Sequence, residues 1–139
     1  MQRILLSVFF CGVFFICPLA GFSQTDTAAV KRGRYLVNEV GHCGDCHTPH
    51  IAGRPDKARW LKGAPLGVKP IAPVPGWADA APDLTATGPL WKSWGEEALV
   101  QFFIKGAGPD GKPAAPPMPT YTLREQDARA IVQYLKSLP

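Results

Sequence analysis

Cysteine is scarce in this chain, and its placement excludes one class at once. Of the four cysteines, Cys11 and Cys17 fall in an apolar N-terminal stretch. Only Cys43 and Cys46 remain downstream, with nothing else to pair with, so a disulfide framework is ruled out. Methionine is scarcer still: Met118 is the sole one after the start residue. Long hydrophobic runs are absent beyond the first two dozen residues, so nothing else in the sequence approaches a bilayer span. A strong charge of one sign is lacking too. Residues 24–139 hold 14 Lys and Arg against 11 Asp and Glu, a formal +3, which gives a nucleic-acid partner no support.

The N-terminal stretch itself reads as an export signal. Met1-Gln2-Arg3 is a short basic opening, and residues 4–19 are almost wholly apolar. Gly21-Phe22-Ser23 sets small residues where a signal peptidase reads, which predicts a signal peptide over 1–23 and a mature domain over 24–139. Residues 4–22 also come close to the ~20 residues that span a bilayer, so an uncleaved membrane anchor is the competing reading. Lipidation at Cys17 fits poorly, because the bulky Ile16 stands where a small residue is wanted. Both main readings put the functional part outside the cytoplasm, in the periplasm. A length of 139 residues suits one domain.

Three segments have helical signatures. In 27–40, Val30, Val37 and Val40 recur at near-helical spacing and Asp26 is placed to cap. Gly33 in its middle costs about 1 kcal/mol relative to Ala, which implies close approach by another element. In 94–105, Ser93 and Glu96 fit a capping box, Leu99, Val100, Phe103 and Ile104 form an apolar face, and Gly106 supplies the stop. In 123–138, Thr122 and Glu125 fit a second capping box, and Ile131, Tyr134, Leu135 and Leu138 keep the strongest helical period in the chain.

Between the first two helices, residues 48–92 carry eight prolines and no evident strand. So long an irregular segment is unusual in a compact domain. Trp60, Leu61, Leu66, Ile71 and Trp77 are too apolar for disorder, so the segment is expected to wrap around something large and apolar.

Cys43-Gly44-Asp45-Cys46-His47 supplies a candidate for that object. It is the C-x-x-C-H haem-attachment pattern. Two thiols on one helical turn each reach a porphyrin vinyl group, and the adjacent His47 gives iron its proximal nitrogen. A thioredoxin-like dithiol would want a βαβ context that this sequence lacks. A zinc site from Cys43, Cys46, His47 and His50 would draw all its ligands from eight residues, without the usual second, distant pair.

With these residues in view, the chain resembles the class I cytochromes c over residues 27–139. The order helix, C-x-x-C-H, long wrap, helix, Met-Pro loop and final helix matches. Gly33-Arg34-Tyr35-Leu36, Ala81-Pro82-Asp83-Leu84-Thr85 and Pro117-Met118-Pro119-Thr120-Tyr121 look like the small cytochromes and cytochrome subunits that serve periplasmic dehydrogenases. The resemblance implies an all-α fold around one covalent haem c. It also implies single-electron transfer between periplasmic redox proteins, and terminal helices crossing at Val37, Val40, Ile131 and Tyr134. Met118 is then the expected distal ligand, held in the proline-stiffened Pro116-Pro117-Met118-Pro119 loop, because Met/His coordination fills both axial positions. A peroxidase-like haem enzyme or a ligand sensor would instead need the sixth position open. His42 and His50 lie too near His47 in sequence to reach the opposite haem face and are expected to be partly exposed and structural. Arg54, Lys57, Arg59 and Lys62 form a basic run that is a solvated loop or a docking patch.

Overall fold

A computed structural model describes residues 27–139. The predicted signal or anchor segment, its cleavage site and the Asp26 cap lie outside the described residues. No described helix is long and apolar enough to cross a membrane.

Helix α1 spans Ala28–Tyr35, and Thr27 caps it by accepting from the Val30 N–H at 3.2 Å. The chain then widens into a π-turn over Leu36–Val40, closed by Gly41 N–H donating to the Leu36 carbonyl at 2.7 Å. The extra residue in that turn swings Val40 out of register. Val40, expected at the helix crossing, is 56% exposed, whereas Val37, Ile131 and Tyr134 are buried. His42 takes a left-handed conformation (φ 47°), which resets the chain direction for the short helix α2, Cys43–His47.

The wrap is not strand-free, and the fold is therefore not strictly all-α. Strands β1 (His50–Ile51) and β2 (Arg54–Pro55) form one antiparallel pair. Strands β3 (Lys62–Pro65) and β4 (Ala80–Asp83) form another, with Ala64 opposite Ala81. Leu66 N–H to the Asp79 carbonyl (2.8 Å) and Leu84 N–H to the Leu61 carbonyl (2.9 Å) extend that pairing at both ends. The loop between β3 and β4 projects outward: Ile71, expected to face an apolar interior, is fully exposed.

Helix α3 runs over Pro89–Lys105, five residues longer than expected at its start. Gly88 and Pro89 begin it, since proline at the first helical position loses nothing by lacking an N–H. Gly95 (φ 76°) breaks it into two segments. The expected capping box at Ser93 does not form: its hydroxyl donates to the Pro89 carbonyl at 2.8 Å, inside the first segment. Glu96 instead accepts from Lys136 (2.6 Å) and Gln133 (2.9 Å) on the last helix. Gly106 (φ 73°) ends α3 as expected, its N–H donating to Phe102.

Helix α4 covers Glu125–Ser137. The second expected capping box is also not formed. Leu123 N–H is committed to the Phe103 carbonyl (2.8 Å), so the chain enters α4 extended and Arg124 takes the cap position without a side-chain bond.

Helices α1 and α4 cross at Gly33. A Cβ there would overlap the Ala130 carbonyl, so the glycine is what lets the two backbones meet. Arg32 Nε to Asp127 Oδ1 (2.9 Å) ties the crossing at its edge. On the other side of α4, Val132 and Leu135 join Val37, Leu61, Leu99 and Val100 in one core.

Candidate haem site

One apolar cleft of about 460 Å³ opens beside this core. Its size falls within the roughly 300–1,000 Å³ of small-molecule and cofactor sites. Cys43, Cys46 and His47 line it from α2, and Met118 lines it from the loop between α3 and α4. All four sequence-predicted site residues thus meet at one cavity. Leu99, Phe102 and Phe103 from α3 and Ile131 and Leu135 from α4 supply apolar walls.

Helix α2 sits where two contacts fix it. Gly44 lies flat against the Trp60 indole, where a Cβ would collide with the ring. Thr48, fully buried, accepts from Leu61 N–H at 3.0 Å and so locks the segment after α2 to the start of β3. His47 is 5% exposed, and its Nδ1 lies 2.8 Å from the Pro82 carbonyl. A carbonyl only accepts, so Nδ1 carries the proton and Nε2 keeps its lone pair. Burial holds the imidazole below its ordinary pKa, against the smaller raising effect of Pro82. The ring is therefore neutral, oriented and able to ligate.

The thiols argue against a redox dithiol. Burial pushes the Cys43 thiol up to about 11, whereas reactive dithiols need a depressed value. The expected strands of a βαβ unit are absent among the described residues, where both sheets are short antiparallel pairs. The zinc alternative also fails: His50 is exposed on β1, and among the described residues no three His, Cys, Asp or Glu side chains converge on a bare ion.

The turn that carries Met118 is closed by its own N–H donating to the Ala115 carbonyl at 3.2 Å. Ala78 N–H donates to the Pro116 carbonyl at 2.7 Å, which stitches this turn to the wrap. Tyr121, next along, sets its hydroxyl 3.5 Å from the Gly41 carbonyl. Burial, then the neighbouring Cys43 and Cys46, raises the Tyr121 phenol pKa.

The tryptophans and the two histidines that flank the motif separate clearly. Trp91 and Trp94 line the cleft, but the Trp91 indole N–H already donates to the Leu84 carbonyl at 2.8 Å. Trp60 packs beneath α2, and Trp77 is half-buried away from the cleft wall. His42 and His50 are both exposed, as expected, although His42 also touches the cleft mouth. Sequence reasoning noted Pro82 only as part of a motif and missed that its carbonyl orients His47; it also missed Asp110 and Lys112, which stand at the cleft rim. Nothing local to His47 signals a partner 35 residues away.

A family model described as Cytochrome c matches residues 30–139. The chain belongs to the cytochrome c family. Among similar proteins, a diheme cytochrome c-type protein of Cereibacter sphaeroides is 36% identical over 115 residues, covering 78% of this cytochrome and 35% of that protein. The fructose dehydrogenase cytochrome subunit of Gluconobacter japonicus is 34% identical over 125 residues, covering 85% and 24%. The cytochrome c subunit of a quinone-dependent alcohol dehydrogenase from Gluconobacter oxydans is 35% identical over 116 residues, covering 79% and 24%. The present chain therefore spans only about a quarter to a third of the length of these relatives.

Family membership implies covalent haem c, and the residues fit that group. Two thiols and a neutral imidazole with a free Nε2 share one wall of an apolar cleft of suitable volume, and a thioether lies in its lining. A hard, charged ligand set would not suit such walls, whereas nitrogen and thioether sulfur donors do.

Proposed function

We propose that this cytochrome carries one haem, bound through thioethers from Cys43 and Cys46 and ligated by His47 and Met118, and that it moves single electrons in the periplasm. The reading that fits best places it between a dehydrogenase and a downstream acceptor, as subunit or soluble carrier. The observation that carries this is the convergence of Cys43, Cys46, His47 and Met118 on one apolar cleft.

The haem supplies the one-electron chemistry; the chain's own residues hold, orient and insulate it. Pro82 accepts from His47 Nδ1 and so turns Nε2 toward the cleft. Met118, presented from a short proline-flanked turn, offers a neutral sulfur that leaves the net charge of the site unaltered. Leu99, Phe103 and Ile131 exclude water from the cleft, which limits reorganisation of the surroundings when charge changes. With His47 and Met118 both held as ligands, neither substrate nor gas would find an open site, which would disfavour the peroxidase and sensor alternatives.

A single C-x-x-C-H in these 139 residues supports one haem per chain. Export is supported by the basic opening, the apolar run and Gly21-Phe22-Ser23, and the anchored form remains the alternative arm of the test. Similarity to dehydrogenase cytochrome subunits supports the partner class. Denaturing electrophoresis with haem staining tests attachment, and intact mass of the purified holoprotein counts haems and locates the N-terminus. The expected species begins at Gln24 and carries one haem. Haem released by acid acetone would defeat the proposal, and a mass that includes residues 1–23 would favour the anchored form.

A further inference from the structure

The Pro82 carbonyl orients His47, but proline has no N–H with which to fasten itself into a sheet. Pro82 also lies exposed on the short strand β4, so no surrounding core fixes it. Two glycines from different elements press on this stretch instead.

Gly63, on β3, stands across from Pro82 in a pairing that sets Lys62 opposite Asp83 and Ala64 opposite Ala81. A Cβ at Gly63 would come within 2.8 Å of the Asp83 amide nitrogen, 2.9 Å of the Ala81 carbonyl oxygen and 3.0 Å of the Pro82 carbonyl carbon. All three are backbone atoms, and carbon contacts become attractive only from about 3.5 Å, so a methyl group here displaces the Pro82 peptide. Gly88, which precedes α3, presses on the next residue. Its Cβ would lie 2.8 Å from Asp83 Cγ and 2.9 Å from the Asp83 carbonyl oxygen. The Asp83 side chain cannot swing clear without giving up the Thr85 N–H (2.7 Å) and the Thr85 hydroxyl (2.8 Å), both of which donate to its Oδ1. Gly63 is left-handed (φ 79°), whereas Gly88 has a conformation open to any residue (φ −69°, ψ 161°). Space alone therefore demands a glycine at 88.

We propose that Gly63 and Gly88 are positioning residues for electron transfer: they hold the Pro82 carbonyl against His47 Nδ1 and thereby lower the reduction potential of the haem. This rests on the electron-carrier reading above, with His47 as ligand. An acceptor on Nδ1–H makes the imidazole a stronger donor through Nε2, which favours ferric iron. At 2.8 Å the bond is already near the short end of the N–H···O range, so a displaced carbonyl lengthens or misaligns it.

The test compares three variants as full holoproteins: Gly63→Ala, Gly88→Ala and, as control, Gly76→Ala. Gly76 lies in the β3–β4 loop with φ 75° and nothing within 4 Å of an added Cβ, so it bears the same conformational cost as Gly63 without the collision. Redox titration and proton NMR of the ferrous form are the readouts. At the solution potential where wild type is half reduced, Gly63→Ala and Gly88→Ala should show a ferrous-to-ferric ratio about threefold or more higher. Their His47 Nδ1–H resonance should move upfield and exchange faster with deuterium oxide. Gly76→Ala should match wild type in both, although it also loses stability. Release of Met118 would lower the potential, so the direction of the shift separates the two causes. A Gly63→Ala or Gly88→Ala holoprotein whose potential or resonance stays at the wild-type value, or moves the other way, overturns the inference, as does an equal shift in Gly76→Ala. If Gly63→Ala yields no holoprotein, Gly88→Ala decides alone. Each of these results leaves the carrier reading intact. A wild-type haem that cannot be cycled between ferric and ferrous overturns both.

Discussion

Replacing Gly33 by Ala tests the helix crossing on which the cleft depends. A Cβ at this position would overlap the Ala130 carbonyl oxygen and lie 2.6 Å from its carbon and 2.8 Å from Tyr134 Cβ. Carbon atoms attract only from about 3.5 Å, so α4 has to retreat by about 1 Å. The obstacle is backbone, which does not rotate aside as a side chain would. Intrinsic helix propensity pulls the other way, favouring Ala by about 1 kcal/mol. Overpacking against a rigid element costs about 1–3 kcal/mol, and a retreat of α4 also loosens Ile131 and Leu135, two cleft walls. The two opposing effects leave a net loss of up to about 2 kcal/mol, to which the loosened walls add. Guanidinium unfolding of the holoprotein, followed by helix signal and by haem absorbance, reads it directly. Gly67→Ala is the control: no atom lies within 4 Å of the added carbon and the backbone is not left-handed. Its stability should stay within about 0.5 kcal/mol of wild type. If Gly33→Ala is as stable as wild type or more so, the close crossing is not what holds these helices, and the reasoning fails.

Other outcomes follow from single contacts. Thr48→Val removes the acceptor for the buried Leu61 N–H, and urea unfolding should register a loss of about 1–3 kcal/mol. Leu61→Ala empties a fully buried site between α2 and β3 and should cost about 2–5 kcal/mol by the same assay. Arg32 holds the Asp127 carboxyl below its ordinary value of 3.8, chiefly through their hydrogen bond. A depressed folded-state value stabilises the fold above pH 3.8 and loses that effect as pH falls through the lowered value. The stability gap between wild type and Arg32→Gln, mapped against pH, should accordingly be widest above 3.8 and close below it; a gap that widens in acid would contradict the assignment.

The attachment motif and the Met118 loop were legible because their chemistry is local: five consecutive residues define one and a proline-bounded methionine the other. The three long helices were legible from their period, and Gly33 was recognisable as a close-approach position. Their ends were less so. Ser93 and Thr122 look like caps, yet other bonds redirect the chain: Ser93 bonds back to Pro89 within its own helix, and Leu123 is held by Phe103. Gly88-Pro89 was a true start signal, outweighed by the stronger-looking motif five residues later. Strands β3 and β4, with sequences KGAP and AAPD, hold no β-branched or aromatic residue, so propensity could not reveal them. They form because Leu61, Leu66 and Leu84 are bonded or buried at their ends, a reason that exists only in the folded chain. The His47–Pro82 bond is hidden in the same way, as a contact across the wrap.

The central claim is that His47 and Met118 clasp one haem from opposite sides of the cleft. Absorption of the ferric holoprotein at neutral pH tests it most directly, through the weak long-wavelength band that sulfur-to-iron charge transfer produces. The account predicts that wild type has the band, and that Met118→Ala lacks it, binds cyanide readily and has a lower reduction potential. A wild type without the band, or a Met118→Ala variant that keeps it, would contradict the account.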